Sequence, residues 1–278
     1  MLKQRVVTAV LMLLVFLPAL WADSTTPLML VLAGVTAAAL WEWARLNGLP
    51  QRRAVIYMAC VAVPTFVLVA GFPLAVPYWA WWVPVVIWVI GGAWLLLRGQ
   101  LAWQVVPRWC RLGAGSLLVV MAVLALLQIK AKGIHYLLSV FLVVWGADVF
   151  AYFGGKAFGR HKLAPSISPG KTWEGVLAGM FGVCSLAGIW LTLANDPVGA
   201  PPNNFFSHLN FTYGWVMWAI LLFIVGMSVV GDLVESLVKR QAGVKDSSRL
   251  LPGHGGVLDR IDALLPVFPL VAVVTGLT

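Results

Sequence analysis

Residues 211–240 read FTYGWVMWAILLFIVGMSVVGDLVESLVKR. The first 21 of these carry no charge. As a helix they rise about 31 Å, enough to cross a hydrocarbon core of roughly 30 Å. The next nine bring in Asp232, Glu235, Lys239 and Arg240 together. An apolar run that ends abruptly in mixed charge reads as a membrane helix reaching water.

Outward from that stretch, similar runs occur near 5–22, 27–46, 54–71, 77–97, 113–129, 133–153, 175–194 and, after it, 257–276. The 278 residues are 61% hydrophobic and 10% charged, against about 25% charged in soluble domains. Lipid must therefore solvate much of the chain. We expect an all-α, polytopic transmembrane helical bundle of about nine helices in one integral-membrane domain. Residues 1–130 form its N-terminal helices, and 131–278 carry the chemistry. The first run resembles a signal peptide in following Lys3 and Arg5, but it is long and has no clean cleavage site, which favours a retained helix. Cys60, Cys110 and Cys184 match no metal or redox spacing and read as small apolar residues.

The net charge of +9 follows topology and does not indicate nucleic acid. With nine helices and a cytoplasmic N-terminus, 17 of the 19 Lys and Arg residues fall inside, and only Lys130 and Lys132 fall outside. The positive-inside rule selects that orientation. Trp79, Trp81, Trp82, Trp88 and Trp94 crowd the fourth run and read as interfacial anchors in contact with lipid. Gly175 and Gly179 form a GxxxG pair, read first as close helix packing and second as a dimer seam.

Of ten acidic residues, Asp23, Glu42 and Asp196 read as surface groups near span ends or in loops. The other seven, Asp148, Glu174, Asp232, Glu235, Asp246, Asp259 and Asp262, gather at the inner ends of the sixth to ninth runs. Carboxylates at membrane depth are costly unless paired or hydrated. On a continuing eighth helix, Asp232, Glu235, Ser236 and Lys239 share one face. Lys245, Asp246 and a Gly253-His254-Gly255-Gly256 turn follow, and glycine lets backbone amides approach a ligand closely. Asp259, Arg260 and Asp262 open the ninth run. Two acidic helix ends across a glycine turn suit magnesium, which binds through carboxylates plus substrate phosphates. Lys239, Arg240, Lys245 and Arg260 suit a polyphosphate. The bland alternative is a salt-bridged loop attracting anionic lipid heads.

Asp148, followed by Tyr152, Gly154, Gly155 and Lys156, is a second candidate. Ser168-Pro169-Gly170-Lys171-Thr172-Trp173-Glu174 is a third. Its Gly-Lys-Thr is no P-loop, because the required earlier glycine is Pro165 and no strand precedes it. Ser168-Pro169 reads instead as a helix N-cap with proline in the first turn, placing Lys171 beside an anion-binding helix end. His254 sits within the glycine turn, to touch substrate or orient the loop. His135 and His208 read as bystanders on the outer side, and His161 as an inner-loop residue without a partner.

At these positions the chain resembles the phosphatidate cytidylyltransferases, or CDP-diacylglycerol synthases. The family's C-terminal signature is matched in order and spacing by Ser236, Lys239, Arg240, Lys245, Asp246, His254, Gly255, Gly256, Asp259, Arg260 and Asp262. The 168–174 segment and Asp148 resemble family features less specifically, and the N-terminal half only in hydrophobicity and length. The resemblance implies CTP + phosphatidate → CDP-diacylglycerol + pyrophosphate with Mg2+ held by Asp232 and Asp259, and a monovalent cation nearby. It implies that Lys239, Arg240 and Arg260 clamp phosphates. His254, Gly255 and Gly256 shape the approach, Ser168 and Lys171 meet a second phosphate, and Asp246 and Asp262 orient the bases. Ser236, Lys245, Thr172 and Glu174 join the substrate-binding set, and Asp148 the catalytic one. A bacterial cytoplasmic (inner) membrane, an active site on the cytoplasmic side and a homodimer fit the same reading.

Two rivals make different demands. A CTP-dependent lipid kinase would use similar parts but release CDP. A secondary transporter would place its acids at the midplane among internal repeats, whereas these sit at helix ends.

Overall fold

The computed structural model describes residues 2–72, 76–193 and 203–277. Asp196 and the side chain of Lys3 lie outside what is described. The chain is a helical bundle: α1 (Leu2–Trp21), α2 (Thr26–Leu46), α3 (Gln51–Gly71), α4 (Tyr78–Val86), α5 (Ala93–Arg98), α6 (Gln100–Val105), α7 (Arg108–Ala131) and α8 (Ile134–Phe158) precede a short hairpin. After it come α9 (Trp173–Leu193), α10 (Phe205–Tyr213), α11 (Met217–Gln241), α12 (Leu258–Ile261) and α13 (Leu264–Val274). A π-helical segment, Ile87–Gly92, joins α4 to α5 in one continuous span.

Among the described residues, eight helical stretches are long and apolar enough to cross a membrane. They correspond to the first eight expected runs. The ninth does not form one long helix: it breaks at Asp262-Ala263 into α12 and an 11-residue α13. Proline explains the break, since Pro266 has no N–H to offer the Asp262 carbonyl four residues back. That carbonyl lies against Gly231 instead, where a Cβ would run into it. At 1.5 Å per residue α13 covers about 16 Å, and it is buried along nearly its whole length.

Without water to drive helices together, membrane bundles rely on small residues and close packing. Helices α8 and α9 show this best. A Cβ on Gly175 would sit 2.9 Å from the Ala151 carbonyl oxygen, and one on Gly179 2.9 Å from that of Ala147. The GxxxG pair therefore packs within the chain. Trp79, Trp82 and Trp94 are exposed, as lipid anchors should be, but Trp81 and Trp88 are core residues. Trp81 is fully buried and donates its indole N–H to the Leu277 carbonyl at 3.1 Å. An indole needs one partner, and the turn after α13 supplies it.

The all-α expectation misses one element. Strands β1 (Lys162–Ala164) and β2 (Ser168–Thr172) pair antiparallel, Lys162 with Thr172 and Ala164 with Ser168. Ser168-Pro169 is thus a strand and no helix cap. A two-stranded ribbon is all edge, so the missing N–H of proline costs it little. The cap of α9 comes from Thr172, whose Oγ1 accepts the Gly175 N–H at 3.2 Å.

Several helix ends meet at one end of the bundle. Thr8 Oγ1 of α1 donates to the Pro252 carbonyl at 2.8 Å, and the last turn of α2 reaches residues 247–258. The hairpin is tied to α11 by Arg240, whose Nε donates to the Ile167 carbonyl at 3.3 Å. The three polar motifs converge there.

Candidate functional site

The last turns of α11 supply the centre. Asp232, Glu235, Ser236 and Lys239 share one face as their spacing requires: Ser236 Oγ donates to Asp232 Oδ1 at 3.2 Å, and Lys239 pairs with Glu235 one turn earlier. Lys239 also reaches across to Asp259 Oδ1 at 2.5 Å. Lys171, near the end of β2, pairs with Asp232. Asp148 from α8 lies in the fields of Lys171 and Asp232, and Asp262 in those of Asp232, Lys239 and Lys171. Two lysines therefore pair with three carboxylates, Asp232, Glu235 and Asp259, and two more, Asp148 and Asp262, lie within their fields. The formal balance is three negative charges too many. So partly buried an excess calls for added positive charge or protons.

The glycine turn is built for closeness. Gly253 and Gly255 adopt φ of +79° and +86°, and the turn closes with Leu251 N–H donating to the Gly255 carbonyl at 2.9 Å and His254 N–H to the Leu251 carbonyl at 2.8 Å. Arg260 Nη2 donates to the His254 carbonyl at 2.8 Å, so this residue orients the loop through its main chain. Its imidazole Nδ1 is buried without a hydrogen-bond partner among the described residues. The Gly256 amide donates to Asp259 Oδ2 at 2.7 Å, joined there by the Ser247 amide at 2.9 Å and hydroxyl at 3.0 Å.

Glu42 corrects the sequence reading most sharply. It is 0% exposed and is no surface group. Oε1 accepts from Ser248 Oγ at 2.5 Å and Val257 N–H at 2.9 Å, while Oε2 accepts from Ser247 Oγ at 3.1 Å and Leu258 N–H at 2.6 Å. A lone carboxylate in an apolar run gave no pattern to read, because all its partners lie more than 200 residues away in sequence. Ser247 was missed as well: its bonds to Asp259 span 12 residues of irregular chain and its bond to Glu42 spans 205, and neither separation leaves a helical spacing to read.

The remaining expected residues are spread more widely. Lys245 and Asp246 are exposed; Asp246 lies against Gly255. Glu174 holds the hairpin rather than facing the cluster: its Oε1 lies 2.6 Å from His161 Nδ1, and its carboxylate accepts the His161 amide. His161 thus has a partner after all. His208 is set on α10, edge-on to the Tyr136 ring, rather than in a loop. Asp23 and His135 are exposed. Ser168 sits on β2, and Thr172 is buried at the foot of α9.

Two cavities flank the cluster. A polar basin of about 450 Å³ is lined by Asp148, Tyr152, Lys156, Lys171 and Thr172. An apolar groove of about 930 Å³ runs between α1, α2 and α8, past Leu11, Val15, Val35 and Trp145, and ends at Pro252 and Arg260.

The donor set suits a hard divalent cation only in partnership with a ligand. Among the described residues no three acidic, histidine or cysteine side chains converge on one point. Asp232 keeps one oxygen on a hydroxyl and one on a half-exposed lysine, so it can turn to a metal. Asp259 is already saturated by Lys239, Ser247 and Gly256 and joins only if Lys239 moves away. Magnesium, which binds through few carboxylates plus waters and phosphates, fits these terms.

Residues 3–278 match the model of the Cytidylyltransferase family. A phosphatidate cytidylyltransferase of Pseudomonas aeruginosa is 40% identical over 288 aligned residues, spanning 98% of this chain and 96% of that protein. One from Haemophilus influenzae is 34% identical over 97% of this chain and 96% of its own length. One from Staphylococcus aureus is 43% identical over 143 residues, 51% of this chain and 50% of its own.

Proposed function

The chain belongs to the cytidylyltransferase family, and we propose that the lysine-braced carboxylate cluster is where it transfers CMP from CTP to phosphatidate. A phosphate oxygen of the lipid attacks the α-phosphorus of CTP. The bond from that phosphorus to the bridging oxygen breaks, and pyrophosphate leaves with the electron pair. The products are CDP-diacylglycerol and pyrophosphate. The observation that carries the siting is the meeting of both lysine-centred clusters between a polar basin and an apolar groove.

The nucleophile is already an anion near neutral pH, so the barrier is chiefly repulsion between two phosphates. Catalysis is then positioning and charge neutralisation. Lys171 and Lys156 face the basin and are placed to meet the nucleotide's phosphates. Lys239 can exchange its carboxylate partners for phosphate oxygens, while Arg240 ties in the hairpin at Ile167 and Arg260 the glycine turn at His254. Asp232 and Asp259, with Asp262 beside them, would hold magnesium, which supplies positive charge to the polyphosphate when bound. The lipid's tails take the apolar groove, with Arg260 at its polar end. A single aqueous face must serve CTP. The distribution of Lys and Arg supports the cytoplasmic face for that role, and the bacterial relatives favour an inner membrane.

The test is product identification by mass spectrometry. Purified protein receives phosphatidate, CTP and magnesium, beside an Asp259→Asn control. We expect CDP-diacylglycerol from the wild type and none from the variant. A doubly phosphorylated lipid with CDP would mean γ-phosphoryl transfer instead.

A further inference from the structure

We infer that Glu42 is a positioning residue for this reaction, setting the place of Asp259 from the opposite half of the chain. The inference rests on the siting proposed above. Its starting point is a local deficit. The turn leading into α12 is Gly255-Gly256-Val257, and none of these side chains carries an oxygen to receive the first amides of the helix. Buried amides left without acceptors are expensive.

Two carboxylates take three successive amides between them. Gly256 N–H goes to Asp259 Oδ2, Val257 N–H to Glu42 Oε1 and Leu258 N–H to Glu42 Oε2. Glu42 therefore supplies, from α2, the cap that the local sequence lacks. Ser247 lies between the two acids, its hydroxyl 3.1 Å from Glu42 Oε2 and 3.0 Å from Asp259 Oδ2. One hydroxyl has one proton to give, so it serves one carboxylate at a time and couples them. The fit leaves no slack: a Cβ on Gly256 would collide with both Ser247 Oγ and Glu42 Oε1. Asp259 in turn holds Lys239. The chain of contacts runs Glu42, Ser247, Asp259, Lys239, and only its far end needs to meet substrate.

The experiment is a double-mutant cycle on steady-state turnover of the full-length protein in detergent, with thermal unfolding followed alongside. Glu42→Gln keeps the size but loses an acceptor and turns an NH2 toward donors. It should lower kcat about 10–100-fold, the range typical of residues that orient a site, with little change in KM for CTP. Glu42→Asp should recover part of the loss. Combined with Ser247→Ala, the double variant should lose no more than the worse single one, because both act through Asp259. Wild-type kcat in folded Glu42→Gln would overturn the inference. So would losses that multiply in the double variant and track unfolding temperature, since these mark a merely structural role. If Glu42→Gln does not fold, Ser248→Ala, which withdraws one hydroxyl from Glu42, replaces it in the same cycle under the same criteria. Activity lost in Asp259→Asn but kept in the Glu42 variants would sink this inference alone. Activity kept in Asp259→Asn would sink the siting itself.

Discussion

Lys239 is held between Glu235, one turn earlier on its own helix, and Asp259, 2.5 Å away in the segment that follows the glycine turn. All three side chains are nearly closed to solvent, at 12%, 4% and 5% exposure. Their arrangement ties α11 to the start of α12 with one cation shared by two anions. It is therefore both a structural tie and a store of positive charge next to the proposed reaction centre.

Removing Lys239 leaves two buried carboxylates facing each other. Lys239→Ala should destabilise the protein by about 3–5 kcal/mol, as breaking a buried pair usually does, and should abolish measurable turnover. Thermal unfolding in detergent checks the first part and CDP-diacylglycerol formation the second. An unfolding temperature equal to wild type would mean the pair is not held as described.

Lys171 makes the opposite case. Its pair with Asp232 is more open, at 27% and 31% exposure, so its contribution to stability should stay below about 1 kcal/mol. Its charge faces the polar basin, where phosphate would gather. Lys171→Ala should therefore leave the unfolding temperature nearly unchanged while turnover drops about 10²–10³-fold, the cost of losing one electrostatic contact to the transition state. A variant that is stable and fully active would remove Lys171 from the site.

How much of this was legible in the sequence depended on the distance between partners. The face formed by Asp232, Glu235, Ser236 and Lys239 follows from helical spacing alone and is found as expected. The hairpin was not legible, because Ser168-Pro169 has the local chemistry of a helix start and its strand character depends on pairing with Lys162–Ala164. The break between α12 and α13 had a visible signal in Pro266, outweighed by the hydrophobicity around it. Glu42 had no signal, since nothing adjacent to it announces a contact with residues 247–258.

The α8–α9 contact sets the walls of the basin, and it depends on Gly179. A Cβ there falls 2.9 Å from the Ala147 carbonyl oxygen, and backbone cannot easily yield. Gly179→Val should cost about 1–3 kcal/mol by overpacking and should reduce turnover by displacing Asp148, the residue that follows Ala147. Cysteine-free protein carrying a spin label on each helix would report the separation directly, and an unchanged distance distribution would refute the packing account.

The apolar groove gives the last test, because its two ends make different demands. Leu11 and Val15 of α1 line its middle and are exposed, whereas Arg260 closes it near the carboxylate cluster. If acyl chains lie here, bulk added at Leu11 or Val15 displaces lipid without touching the nucleotide. Leu11→Trp and Val15→Trp should each raise KM for a long-chain phosphatidate about tenfold, equivalent to roughly 1.4 kcal/mol. KM for CTP and turnover at saturating lipid should stay at wild-type values. A short-chain phosphatidate that does not reach the middle of the groove should be converted equally well by wild type and variants. Equal impairment with both lipids would place the chains elsewhere, since only a chain long enough to pass Leu11 and Val15 can sense a tryptophan there.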